Sequence, residues 1–251
     1  GFWIDQDGNF ISQADVFNEA DGWSITADWA MTDTLAWKLI YSDRGSKYGS
    51  GLDDDSIGSV AGDLNLPFGE DPELRNLWEN GVMFQYPETG FADQESAELQ
   101  LFGTFDKWDF VAGLYSFEES GGNDQETTFF WAFPYGVHII RQDATSRAIY
   151  GNVGFQATDR LRLSAGARYT EDEKDAWTTV GVESSASREW DETSWEVAAS
   201  WQTGNGMNLY GTIQNGYQSG QFPARPYCLF SDPDCYVATD NVTATNYEVG
   251  L

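Results

Sequence analysis

Ser146-Arg-Ala-Ile-Tyr150-Gly-Asn-Val-Gly-Phe-Gln156-Ala-Thr-Asp-Arg160-Leu-Arg-Leu-Ser-Ala165-Gly-Ala-Arg-Tyr169-Thr-Glu-Asp172 is the stretch on which the fold turns. Ile149, Gly151, Val153 and Phe155 alternate with Tyr150, Asn152, Gly154 and Gln156. Thr158-Asp159-Arg160 reverses the chain. Leu161, Leu163, Ala165, Ala167 and Tyr169 then alternate with Arg162, Ser164, Gly166 and Arg168. Side chains along a strand point to opposite faces with period two, so each run carries one apolar and one polar face. The pair reads as a β-hairpin with a tight turn.

The same pattern recurs on both sides of this hairpin. Trp23–Trp29 turns near Met31-Thr32-Asp33 and returns as Leu35–Tyr41; Ser96–Phe105 turns at Asp106-Lys107 and returns as Trp108–Glu118. Glu192–Gln202 and Met207–Gln218 flank Thr203-Gly204-Asn205-Gly206, whose glycines suit a turn that demands positive φ. Trp108–Phe117 alternates less cleanly, and its polar face stays unassigned. Between the hairpins lie long polar stretches expected to be surface loops: Arg44–Asp93, with a short helix near Pro72–Asn80, then Ser120–Asp143, Lys174–Arg188 and Gln221–Asn241. Residues 1–20 read as one strand with a loop. Tight turns at one end, long loops at the other and strands of roughly ten residues are the pattern of an outer-membrane β-barrel.

Composition narrows the alternatives. Aromatic residues make up 16% of the 251 residues, with 11 Trp and 12 Tyr. No run approaches the roughly 18 apolar residues of a transmembrane helix. The aromatics sit where a membrane would want them. Trp29, Phe105, Phe155 and Trp201 precede the tight turns on the apolar face, Trp37 and Trp108 follow them, and Trp23, Tyr41, Tyr169 and Trp195 mark the far ends. A soluble sandwich would bury its aromatics mid-strand, whereas a barrel places them at its two interfaces with lipid.

The net charge is −28, from 41 acidic and 13 basic residues. Such a surface disfavours nucleic acid, which requires basic groups against its phosphates. The acids crowd into the expected connections (Asp53, Asp54 and Asp55; Glu70, Asp71 and Glu73; Glu171, Asp172, Glu173 and Asp175). One reading is a solvated surface. Another is an outer rim that holds divalent cations against lipopolysaccharide.

Four segments, in order, resemble those of the TonB-dependent receptors of Gram-negative outer membranes. Phe110-Val-Ala-Gly-Leu-Tyr115-Ser-Phe117 is similar to the family's strand before an acidic loop. Gly166-Ala-Arg168-Tyr169-Thr-Glu-Asp172-Glu-Lys174 resembles its G-x-R-Y-T-x-D-x-K strand end. Tyr210 through Gly216-Tyr217-Gln-Ser-Gly220-Gln-Phe222, followed by Asn246-Tyr247-Glu248-Val249-Gly250, resembles two further family segments. The resemblance covers about residues 108–251; residues 1–95 share only the pattern.

The resemblance implies an all-β fold: an antiparallel transmembrane β-barrel with short periplasmic turns and long extracellular loops. About ten strands of a 22-stranded barrel are expected, with residues 1–251 as part of one barrel domain. A plug domain and the remaining strands are not recognisable, and a segment of a longer protein is expected, since the chain opens at Gly1 without a signal peptide and stops at Leu251 within a strand. The implied function is import of a scarce, bulky ligand such as a ferric siderophore across the outer membrane. The implied partners are outer-membrane lipid and lipopolysaccharide, and the TonB complex acting through the plug. A passive porin-type barrel and a soluble extracellular β-rich binding protein stay open as alternatives.

Candidate ligand contacts are Tyr150, Arg162 and Arg168 on polar faces, with Asn152 and Gln156 beside them, and the aromatic cluster Phe129, Phe130, Trp131, Phe133 and Tyr135. The cluster suits ligand stacking, or equally a loop folded over its own aromatics. Cys228 and Cys235, the two cysteines, lie in one expected external loop and are expected to form a disulfide in an oxidising exterior. A metal site there would need more soft ligands than one pair supplies. His138 is the single histidine, so neither a His-based triad nor a multi-His metal site is available. Asp53-Asp54-Asp55 lacks the spaced ligands of a calcium loop. No catalytic residue, cofactor or metal is expected.

Overall fold

A computed structural model describes residues 2–4, 10–12, 16–53, 84–129, 133–204, 206–224, 226–230 and 232–251. Strands β1 (Phe2–Ile4) and β2 (Phe10–Ser12) form a small antiparallel pair. The other strands form one nine-stranded sheet. They are β3 (Phe17–Ala30), β4 (Leu35–Asp53), β5 (Phe84–Thr104), β6 (Trp108–Phe129) and β7 (Phe133–Gln156), followed by β8 (Leu161–Thr178), β9 (Ser184–Gln202), β10 (Asn208–Gln218) and β11 (Val242–Gly250). Each strand pairs antiparallel with its neighbours in the chain, so the sheet is a simple meander from β3 to β11. The sheet does not close: β3 and β11 are its edges. Lipid cannot satisfy such an edge, so a membrane-spanning sheet of this kind needs further strands.

The tight turns are built as the sequence suggests. Thr158 Oγ1 accepts from the amides of Arg160 (3.3 Å) and Leu161 (3.0 Å), and Thr32 Oγ1 does the same for Thr34 and Leu35. In the last tight turn Gly206 takes φ +83°, the left-handed region that favours glycine. Gln156 N bonds Lys107 O (2.8 Å) and Gln202 N bonds Arg160 O (2.8 Å), so adjacent hairpins are tied together at this end.

At the opposite end the strands are much taller than expected. The described residues of Ser120–Asp143 are strand, not loop: β6 and β7 stay paired through Ser120↔Asp143 and Asn123↔Ile140 as far as Thr127↔Gly136. Lys174 likewise pairs with Arg188, and Arg44 with Gln94. Of the expected Arg44–Asp93 loop, residues 54–83 lie outside the described part, including the expected helix at Pro72–Asn80 and Asp54, Asp55, Glu70, Asp71 and Glu73. The extended ladders lack apolar alternation, and pairing does not require it. Their backbone groups are satisfied by the neighbouring strand whatever the side chains are. At 24 residues, β7 runs about 80 Å at roughly 3.3 Å per residue, far beyond a bilayer.

Register settles which face each residue takes. Trp108, Phe110, Ala112 and Leu114 oppose Phe155, Val153, Gly151 and Ile149, so they share the apolar face. That face is bare: Trp29 is 67% exposed, Ile25 60%, Ile149 58% and Leu114 54%. Trp23, Tyr41, Tyr169 and Trp195 bound it at the upper end, and Trp29, Trp108, Phe105 and Trp201 at the tight-turn end, both as expected. Six residues separate Trp195 from Trp201, about 20 Å along the strand. Above the upper row the same face becomes acidic, with Asp43, Glu95, Glu118, Glu171, Glu173, Asp175 and Asp191. The expected crowding of acids into loops is therefore corrected in part: these lie on paired strands. Among the described residues no second sheet covers the apolar face.

On the polar face, aromatic side chains lie across glycines of the neighbouring strand. A Cβ on Gly113 would sit 2.4 Å from Tyr150 Cζ, so that crossing needs a glycine. Tyr48 over Gly90 and Tyr210 over Gly250 repeat the arrangement.

Candidate functional site

The polar face carries an ordered hydrogen-bonding surface. Tyr150 donates its hydroxyl to Glu98 and accepts from Gln100 Nε2 at 3.0 Å. Asn152 Nδ2 donates to Glu196 at 2.6 Å, and Ser42 and Ser96 bond at 2.8 Å. Lys38 lies 3.4 Å from Asp28 and 5.9 Å from the Phe102 ring centroid. Each bond links neighbouring or next-neighbouring strands at the height of the apolar band, so the face is wet where the opposite face is oily.

Arg168 differs from the other cations here. Its guanidinium lies 5.0 Å from the Tyr115 ring centroid and 5.8 Å from that of Tyr150, and its Nε donates to Thr170 Oγ1 at 3.1 Å. Arg162 by contrast grips Asp109 with both terminal nitrogens, each at 2.7 Å. Arg168 is thus held by rings, and among the described residues no acceptor bonds its terminal N–H groups, which suit a carboxylate or similar oxyanion. A depression of about 260 Å³ opens beside it, lined by Tyr150, Asn152, Ser194, Glu196, Gln214 and Asn215 among others.

Higher on the same face, above the apolar band, Trp190 is buried between two cations. Lys174 Nζ lies 5.6 Å and the Arg188 guanidinium 5.3 Å from its ring. Burial lowers the Lys174 pKa below that of an ordinary lysine. The segment between β10 and β11 folds down onto this ring, packing Phe222, Leu229, Tyr236 and Ala238 against Trp190 and Ala176. Cys228 and Cys235 in that segment form the expected disulfide, with a Cα–Cα distance of 6.2 Å.

The structure separates the candidate contacts. Tyr150 and Arg168 come together, whereas Arg162 lies toward the tight-turn end, six residues along β8. Phe130 and Trp131, and the side chains of Phe129, Phe133 and Tyr135, lie outside the described part. The backbones of Phe129 and Phe133 pair at the top of the described β6–β7 ladder. Tyr150 is seventeen residues from Phe133, about 55 Å along the strand, so no small ligand touches both at once. Sequence reading left out Tyr115, Glu98, Gln100 and Trp190. Tyr115 was hidden because apolar residues occupy both faces of Trp108–Phe117; its one usable signal is Glu98 opposite it in register.

Comparison with known proteins agrees with this geometry. A family model described as "TonB dependent receptor-like, beta-barrel" matches residues 1–251. Among curated proteins, none matches the chain. The ferric yersiniabactin uptake receptor FyuA from Yersinia pestis superposes with a TM-score of 0.68 at 17% identity, over 93% of this chain and 33% of that one. The siderophore receptor PiuA from Acinetobacter baumannii gives a TM-score of 0.63 at 12% identity, over 96% of this chain and 39% of that one. The copper transporter OprC gives 0.60 at 11% identity, over 86% and 34%. At these identities the likeness is one of fold. The chain spans about a third of the length of these solved structures.

Proposed function

The chain belongs to the TonB-dependent receptor-like β-barrel family, and on that premise we propose that it is barrel wall in an energised outer-membrane receptor of a Gram-negative bacterium. Its cargo is a scarce, bulky ligand, a ferric siderophore or similar iron complex. The apolar face meets lipid, the polar face lines the lumen, and the tall strands project beyond the membrane toward lipopolysaccharide. A plug elsewhere in the receptor would close the lumen and couple to TonB. Tyr150 and Arg168 are ligand contacts on the wall, with Tyr115 positioning the guanidinium; Phe129, Phe130, Trp131, Phe133 and Tyr135 make a separate, first contact at the hairpin tip. Arg162 holds the wall together through Asp109.

One observation carries this reading: an unbroken meander with a bare apolar band on one face and a bonded polar network on the other. The siderophore is favoured because two of the three solved structures above are a ferric yersiniabactin uptake receptor and a siderophore receptor. The test is uptake of radioactive iron by iron-starved cells with and without the full receptor gene. Iron is supplied as ferric citrate, a ferric catecholate or a ferric trihydroxamate. Loss of uptake for one of these, and its abolition by a protonophore, is expected. Uptake that persists without the proton gradient would leave the passive porin as the answer.

A further inference from the structure

We propose that residues 220–240 form a fixed lip on the lumen wall, which admits ligands by size and is not a lid that closes over them. The inference rests on the reading of the polar face as lumen. The neck of this segment is closed by two bonds: Gln221 N donates to Thr239 Oγ1 (3.0 Å) and Thr239 N to Gln221 O (3.0 Å). Gly220 is wedged at the neck; a Cβ there would lie 1.9 Å from Thr239 O and 2.8 Å from Trp190 Cζ2. The result is a compact Ω-loop whose own side chains fill it.

Its underside is packed rather than wet. Leu229 is 1% exposed, and Phe222 and Tyr236, tilted against each other at 5.4 Å, pack with Trp190. Two cations of the wall clamp its backbone: Arg188 donates to Ala238 O (2.6 Å) and pairs with Asp240, and Lys174 donates to Gly220 O (2.8 Å). Asn241 donates to Glu192 at 3.2 Å. The Cys228–Cys235 bond staples the far end. Segments that open easily have few buried contacts and water-facing hydrogen bonds. This one has a buried apolar core, and the bonds that clamp it from Arg188, Lys174 and Asn241 are partly buried.

The sheet itself makes room for the lip. Pairing of β9 with β10 stops at Glu196↔Gln214. Beyond it the Asn215 side chain takes the place of a strand, accepting from Trp195 N at 2.6 Å and donating to Thr193 O at 3.4 Å. From there upward β9 keeps β8 on one side and has the lip at its polar face. The Arg168 depression lies directly below, since its Ser194 is four residues, about 13 Å, beneath Trp190.

The test uses the full receptor in outer-membrane vesicles carrying Ser194→Cys, because the native cysteines are already bonded. Labelling rates are measured with N-ethylmaleimide and with a bulky maleimide-polyethylene glycol. Both are normalised to Ser187→Cys on the opposite, exposed face. The small reagent should react at least tenfold faster than the bulky one. Adding Arg188→Ala should raise only the bulky rate, closing most of that gap. A ratio near one without Arg188→Ala, or an unchanged ratio with it, would overturn the lip. Labelling by neither reagent would instead sink the lumen reading beneath it. If Arg188→Ala fails to assemble, Asp240→Ala, at a largely exposed side chain, should shift the ratio in the same direction. Hydrogen exchange in the ligand-free receptor separates lip from lid: the amides of Leu229 and Thr239 should exchange as slowly as those of β9, and rapid exchange would refute a fixed position.

Discussion

Val197 and Ala198 are neighbours in β9, yet an arginine at each should have opposite consequences. Val197 is 44% exposed on the apolar face, flanked by Ala165 and Ile213, two residues from Trp195 and four from Trp201. An arginine on the lipid face of a barrel costs about 2–4 kcal/mol at the midplane and about 0–1 near the interface. Val197 lies between these depths, so Val197→Arg should cost about 2 kcal/mol, roughly 30-fold in the folding equilibrium. Ala198 lies on the polar face between Ser164 and Thr212, and on the proposed reading Ala198→Arg should stay within about 1 kcal/mol because lumen water solvates the new charge. Urea titration of the full receptor in lipid vesicles, followed by heat-modifiable gel migration, measures both. A buried protein interface would also reject arginine, so Val197→Phe is the control. It should be nearly neutral against fluid lipid but cost about 1–3 kcal/mol by overpacking in a protein core. Equal damage from the two arginines, or a costly Val197→Phe, would refute the assignment of faces.

Gly113→Val should destabilise the sheet by about 1–3 kcal/mol through collision with the Tyr150 ring, and Tyr150→Ala in the same chain should recover part of the loss; a double-mutant cycle in the same assay reads the coupling. Replacing Cys228 and Cys235 with alanine should cost the lip about 2–3 kcal/mol of local stability in the chain-entropy model, seen as faster hydrogen exchange over 221–239 with the urea midpoint of the barrel unmoved. Asp109→Asn should cost no more than about 1 kcal/mol despite the two-pronged geometry, because both partners are nearly half exposed. Arg168→Gln should weaken uptake of a carboxylate-bearing ferric complex such as ferric citrate at least tenfold. It should leave a neutral ferric trihydroxamate less affected, and equal loss of both would point to damage to the wall.

Alternation along the chain was enough to find the tight-turn hairpins, the apolar band and its aromatic borders, since period-two patterning is written into each strand separately. The cysteine pair and the order of the family-like segments were legible for the same local reason. The tall ladders were not, because backbone pairing above a membrane imposes no apolar code: the described residues of Ser120–Asp143, and most of Lys174–Arg188, read as loops and fold as strands. Tyr115 needed its register partners Glu98 and Ala148 on the two neighbouring strands before its face could be assigned. The lip needed more still. Nothing near Trp190 in sequence announces Leu229 or Tyr236, which reach it across some forty residues, because a buried contact between distant segments is chosen by three-dimensional shape and not by the periodicity of either one.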